Sequence, residues 1–208
     1  MARDLGSIVK MSRREGYALH PKAYKALVKR TTTPGEQHSG GRGQRQKNSQ
    51  YSLQLREKQK VKRLYGLLEK QFSNLMKEAN RKQGQSGGIL LQYLELRLDN
   101  VVYRSGLAVS RRASRQLVTH GHFTLNGRRV DIPSIRVNTG DVIVLRDHSK
   151  NNDYFKNIDE VSPVNPDVIP SWMKVNRKKF EITITGLPSE EDREPDINEQ
   201  LIVEYYSR

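Results

Sequence analysis

Residues 94–104, LELRLDNVVYR, and 110–122, SRRASRQLVTHGH, decide the fold. In the first, Leu94, Leu98, Val101 and Val102 recur at helical spacing. With Leu90 and Leu91 before them they predict a helix over about Ile89–Tyr103, ended by Ser105-Gly106. In the second, Ser110 is a good N-cap for a short helix, and Gly121 sits where a left-handed C-terminal residue belongs. That spacing turns Ala113, Leu117 and Val118 inward and Arg111, Arg112 and Arg115 outward. After Gly121 the period changes to two. His122-Phe123-Thr124-Leu125 runs into Asn126-Gly127, the strongest two-residue hairpin signal. Val130, Ile132, Ile135 and Val137 continue strand-like, and Gly140-Asp141 turns the chain into Val142–Leu145. The reading is an α+β unit, a helical hairpin packed on a small antiparallel sheet.

Upstream, Leu64, Leu67, Leu68, Phe72, Leu75, Met76 and Ala79 make one apolar stripe, which predicts a helix within 51–82. Its other side is basic, with Arg56, Lys58, Lys60, Lys62 and Arg63. Gly84, Gly87 and Gly88 mark a break after it. Residues 1–50 read as an extended basic arm, poor in apolar residues and interrupted by Pro21, Pro34 and Ser39–Gly43. Such a stretch buries too little surface to order firmly alone. Downstream, 147–176 is polar and Pro-rich, with Trp172 as an anchor. Phe180–Ile184 reads as a strand, and Leu201–Tyr206 is apolar enough to dock on the body.

Charge separates the chain into the same pieces. The whole has 37 Lys+Arg against 23 Asp+Glu, a net charge of +14. Residues 1–82 carry 20 basic and 6 acidic side chains, 83–146 carry 9 and 4, and 147–208 carry 8 and 13. A pI near 10.0 points to a polyanionic partner, which should meet the first two-thirds of the chain. With no Cys, disulfides and thiolate zinc sites are excluded. No apolar run reaches the roughly 18 residues that span a bilayer, and no signal peptide opens the chain, so no membrane partner is expected.

The constellation suited to nucleic acid lies on 94–146. Arg111, Arg112 and Arg115, with Gln116, occupy one helix, and His120, His122, Asn126 and Arg128 follow on turns and strand ends. Planar guanidinium forks on a rigid frame suit phosphates and RNA edges. Arg3, Arg13, Arg14, Arg42, Arg45 and Lys47 in the arm, and Arg56, Lys58, Lys60 and Arg63 in the first long helix, are the further candidates. No nucleophile, paired-carboxylate centre or phosphate-loop fingerprint is present. His120 and His122 lack a third ligand at a sensible spacing, so no metal and no cofactor are expected.

The stretches 94–104 and 110–122, continued by Leu125-Asn126-Gly127, Ile132-Pro133-Ser134 and Gly140-Asp141, resemble the RNA-binding module named after ribosomal protein S-four. Ser12–Gly16, Gln54–Lys60, Leu68–Phe72 and Ile197–Arg208 resemble further segments of that ribosomal family, so the likeness runs nearly the whole chain in order. It implies a non-enzymatic primary binder of small-subunit 16S rRNA that nucleates assembly of the subunit body. It also implies a place beside ribosomal protein S-five and the mRNA entry channel, with an influence on decoding accuracy. Arg42, Arg45 and Lys47 match the segment that approaches mRNA. The implied organisation is an arm over 1–50, a helical body over 51–90 and 176–208, and an inserted module over 91–175. Some members hold zinc with four Cys in the arm; the matching positions here are Val9, Ser12, Ala26 and Thr31. The expected place is the ribosome of the cytoplasm, or of an organellar stroma or matrix.

Two other readings use the same module: a free-standing ribosome rescue or chaperone factor, and the docking module of an RNA-modifying enzyme. The first has no use for 54–72 and 197–208, and the second needs a catalytic domain larger than 147–208. The charge pattern predicts RNA affinity that falls linearly with salt on a log–log plot, by about 0.7–0.9 per phosphate contacted. A flat response in a filter-binding titration would contradict extended phosphate contact.

Overall fold

A computed structural model describes residues 4, 6–35, 49–162 and 169–207. The chain divides into two compact units, Met1–Gly87 with Pro195–Arg208, and Gly88–Glu194. The stretch 176–194, expected with the helical body, falls in the second unit, because its strand is hydrogen-bonded into that unit's sheet.

In the first unit the described part of the basic arm is largely helical rather than extended. Helices α1 (Ile8–Glu15) and α2 (Pro21–Lys29) form within it. Gly16, at φ +64°, closes α1 in the left-handed region. The buried Ser12 hydroxyl donates to Ile8 O and accepts from Leu19 N. The Glu15 carboxylate is wholly buried and paired with Arg56 (3.3 Å) and Arg63. Burial holds that carboxyl above the ordinary carboxylate range despite the two arginines. Helix α1 thus depends on partners some 40 residues away, which local apolar counts do not reveal.

The expected helix of 51–82 is two helices, α3 (Gln50–Leu64) and α4 (Glu69–Asn80). Gly66, at φ +66°, breaks the run, and Leu67 N returns to Lys62 O at 2.9 Å. The stripe still closes one core of Val61, Leu64, Leu67, Phe72, Met76 and Ala79. A C-terminal helix, Glu199–Tyr206, lies on α3, as its apolar sequence led us to expect. Lys58 Nζ sits 4.4 Å from the Tyr205 ring centre and 2.8 Å from Glu69 Oε1, and the Tyr206 hydroxyl donates to the same oxygen at 2.8 Å.

In the second unit, the expected helix of 89–103 is interrupted. Helix α5 (Ser86–Glu95) ends before Leu96-Arg97, and α6 (Leu98–Arg104) follows. The break has no Gly or Pro. It is made by backbone bonds from Val137 N to Leu96 O (2.9 Å) and Leu98 N to Ile135 O (2.8 Å). Residues 135–137 are therefore spent on this junction rather than on a continuing strand. Helix α7 (Arg111–Thr119) starts as read, with Ser110 Oγ accepting from Ala113 N at 3.2 Å.

Strands β1 (Phe123–Leu125) and β2 (Arg128–Val130) flank Asn126 (φ +49°) and Gly127 (φ +80°), the left-handed pair this turn type requires. Strand β3 (Val142–Leu145) is where the alternation placed it. Short helices α8 (Asp147–Lys150), α9 (Asp153–Lys156) and α10 (Ile158–Val161) occupy the stretch read as polar connection. Strands β4 (Met173–Asn176) and β5 (Glu181–Ile184) complete an antiparallel sheet in the order β2-β1-β3-β5-β4. Phe123, Ile143, Leu145, Ile182 and Ile184 on the sheet pack with Leu98, Val101, Val102 and Val118 on α6 and α7. Trp172 joins this core at 3% exposure, as an anchor should. The whole is α+β, as expected.

Glu69 gives a pH test of the C-terminal docking. Partial burial pushes its carboxyl up, but hydrogen bonds from Lys58, Lys62 and Tyr206 outweigh this and bring it down to about 2. Its folded value is depressed, so its stabilising contribution is full above the usual carboxylate range and disappears as pH falls toward 2. A side-chain carboxyl NMR titration should show Glu69 still ionised at pH 3. An ordinary midpoint near 4.5 would contradict the arrangement.

Candidate nucleic-acid interface

The second unit is organised around buried acids. Glu95 and Asp99 are 0% and 5% exposed, on either side of the α5–α6 break. Isolated buried carboxylates are costly, so each must be matched by cations and hydrogen bonds. Arg97 grips Asp99 with two bonds of 3.0 and 2.7 Å, and Arg115 Nη1 adds a third at 3.0 Å. The Ser114 hydroxyl donates to the Asp99 carbonyl. Arg104 takes both oxygens of Glu95 at 3.1 and 3.0 Å. Asn100 Nδ2 donates to Glu95 at 2.8 Å, while Asn100 Oδ1 accepts from Arg111 Nε at 2.9 Å. Glu194 closes the set, 2.5 Å from Arg111 Nη2 and 3.5 Å from Arg104.

This corrects the expectation for α7. Arg111 and Arg115 do not lie on an open outward face. Their side chains are only 13% and 17% exposed, because Glu194 and Asn100 claim Arg111 and Asp99 claims Arg115. The outward stripe is instead Arg112, Gln116 and His120, spaced by four and all exposed. Asn126 is exposed too, but its amide clamps the hairpin to β3. Its Nδ2 donates to Asp141 at 2.8 Å and its Oδ1 accepts from Val142 N at 2.9 Å.

Beyond the stripe, four basic side chains gather at Gly121. Arg129, beside the exposed Arg128 on β2, lays its guanidinium so close that a Cβ at Gly121 would stand 2.7 Å from its Nε. Arg146 donates from Nη1 to Gly121 O at 3.2 Å, and its backbone N–H goes to His122 O at 2.9 Å. The rings of His120 and His122 lie 5.9 Å apart. His122 is tied through Nδ1 to Ser149 Oγ at 3.0 Å. Burial, then His120 and Arg146, hold the His122 imidazole below its ordinary value. Arg146 has no motif to announce it, since it reaches this place only through the pairing of β3 with β1.

Of the candidates in the first unit, most serve internal contacts. Arg13 holds Thr32 O at 2.8 and 3.1 Å, Arg56 and Arg63 hold Glu15, and Lys58 is buried against Glu69. Lys60 pairs with Glu57 and donates to Asp196 O. Arg14 is exposed on α1. Lys22, Lys25, Lys29 and Arg30, which no sequence motif marks, are exposed on and just after α2 beside exposed Tyr24 and Val28. Arg3, Arg42, Arg45 and Lys47 lie outside the described residues. Among the described residues no three His, Asp or Glu side chains gather as a metal site would need.

A preformed frame whose acids are internally neutralised and whose remaining cations face outward is the build of a binding module for a phosphate backbone. Residues 96–143 match the family model described as the S4 domain, and residues 3–95 match the ribosomal protein S4/S9 N-terminal domain. The chain is 50% identical over 212 residues to the small ribosomal subunit protein uS4 of Herpetosiphon aurantiacus, and 50% identical over 214 residues to that of Clostridioides difficile. It is 48% identical over 208 residues to the uS4 of Chloroflexus aurantiacus. Each comparison covers 100% of both chains. The chain belongs to the ribosomal protein S4 family.

Replacing Asp99 with Ala strands Arg97 and Arg115 in a buried setting. We expect a loss of about 3–5 kcal/mol in urea unfolding. A change under 1 kcal/mol would show that the network does not hold the frame.

Proposed function

We propose that the chain is a structural constituent of the small ribosomal subunit that binds 16S rRNA and is not an enzyme. The observation that carries this reading is its end-to-end likeness, near 50% identity, to proteins of that subunit. The charge distribution supports it. The basic two-thirds of the chain meets RNA, and the acidic last third faces solvent or a basic protein neighbour. In the second unit the RNA-facing residues are Arg112, Gln116, His120, Arg128 and Arg129, with Arg111 and Arg115 holding the frame behind them. In the first unit Arg14 and the basic residues of α2 extend the phosphate contact.

The finer roles follow from family likeness. The protein binds early to a multi-helix junction and nucleates assembly of the subunit body. Arg42, Arg45 and Lys47 approach mRNA at its entry channel, and ribosomal protein S-five is the protein neighbour through which decoding accuracy is affected. It works in the ribosome of the cytoplasm. No helix among the described residues is long and apolar enough to cross a membrane.

Competition binding tests the reading. The protein should bind small-subunit rRNA saturably in the presence of excess large-subunit rRNA and transfer RNA. The double variant R112Q/R128Q should keep its melting temperature and lose at least tenfold in affinity, each charged contact being worth about 1.5–3 kcal/mol. Equal binding to all three RNAs would contradict the proposal.

A further inference from the structure

We propose that an RNA phosphate binds at the His120–Gly121–His122 turn with uptake of a proton by the histidine pair, so that RNA affinity is linked to pH near neutrality. This rests on the RNA-binding reading above and adds a regulatory property to the same surface.

The geometry makes the turn a graded anion site. Two permanent charges flank it, Arg129 against Gly121 and Arg146 on the Gly121 carbonyl. Two titratable rings complete it, 5.9 Å apart. His122 cannot swing away. Ser149 holds its Nδ1, and Phe155 packs edge-on against it at 5.7 Å. Nε2 is the nitrogen left for a ligand. The Ser149 hydroxyl can donate to the neutral ring or accept from the imidazolium, so that bond survives protonation.

The charges around His122 oppose a second proton while the site is empty. From α7 comes His120, from β2 Arg129, and from the end of β3 Arg146. From α8 comes the neutral Ser149, while the Asp147 carboxylate is taken by Lys150 at 2.7 Å and His148 is exposed. From α9 come Phe155 and Tyr154, whose hydroxyl donates to Leu107 O. Burial is the largest single cause in the same direction, ahead of His120 and Arg146. A bound phosphate reverses the sign of the local field and favours the imidazolium. The bound state therefore holds more protons than the free state, and affinity rises as pH falls through the bound-state value. One linked proton gives at most about tenfold per pH unit.

The test is binding of the full chain to small-subunit rRNA from pH 8 to pH 6 at fixed ionic strength. We expect affinity to rise about five- to tenfold over that range, an effect of one proton. The variant H120Q/H122Q should lose the pH dependence, and H148Q should keep it. A wild-type affinity that is selective but independent of pH would overturn the proposal and leave the RNA-binding reading intact. So would a pH dependence that persists in H120Q/H122Q. Absence of selective binding at every pH would remove both. A second measurement needs no substitution. The His122 Cε1–H resonance, titrated with and without RNA, should show a higher midpoint in the complex, and equal midpoints would overturn the proposal.

Discussion

Burial of Glu95 and Asp99 at the α5–α6 junction obliges the chain to bring Arg97, Arg104 and Arg115 to them, with Arg111 drawn in through Asn100 and Glu194, and most of the second unit follows from that obligation. Arg97, at the break, turns back to grip Asp99. Arg115 and the Ser114 hydroxyl fasten α7 across α6. Glu194 returns from the far end of the unit to share Arg104 and Arg111. Each acid satisfies two or more donors, so the network is internally closed in the way a low-dielectric setting demands.

A protein with a net charge of +14 has a surplus of cations after such pairing. The surplus is what the surface displays. In the second unit the exposed polar stripe of Arg112, Gln116 and His120 leads past Gly121 to Arg128 and Arg129 on β2. Division of labour among arginines of one helix is thus a matter of angle. Arg111 and Arg115 face the acids, and Arg112 faces away. A rigid display suits a partner read mainly by its backbone shape. The first unit repeats the theme more loosely, with Glu15 pinning α1 through Arg56 and Arg63 while Arg14 and the α2 lysines face out.

The sequence is legible where the physics is local. Ser110 caps, Asn126-Gly127 turns, and the alternation of Val142–Leu145 forms a strand, because each depends on a few neighbouring residues. Long-range physics was not legible. The break at Leu96-Arg97 is made by residues 135–137, and α1 is stabilised through residues 56 and 63. Strand β4, Met173–Asn176, looks polar and is a strand because β5 pairs with it. The site was half legible for the same reason. Basic residues announce a polyanion, but an arginine that holds a buried acid is spelled like one that meets a phosphate. Gly66 is the exception, a local breaker masked by the strong apolar stripe around it.

The central claim is that the ion-paired frame exists before RNA arrives and presents its cations ready-placed. Amide hydrogen exchange of the free chain and of its complex with small-subunit rRNA tests this most directly. The account predicts that α6, α7 and strands β1, β3 and β5 are already strongly protected in the free chain, with added protection on RNA binding confined to the exposed stripe, the Gly121 turn and the basic residues of the first unit. Protection of α6 and α7 that appears only with RNA would contradict it, and would mean that RNA, not the buried acids, assembles the frame.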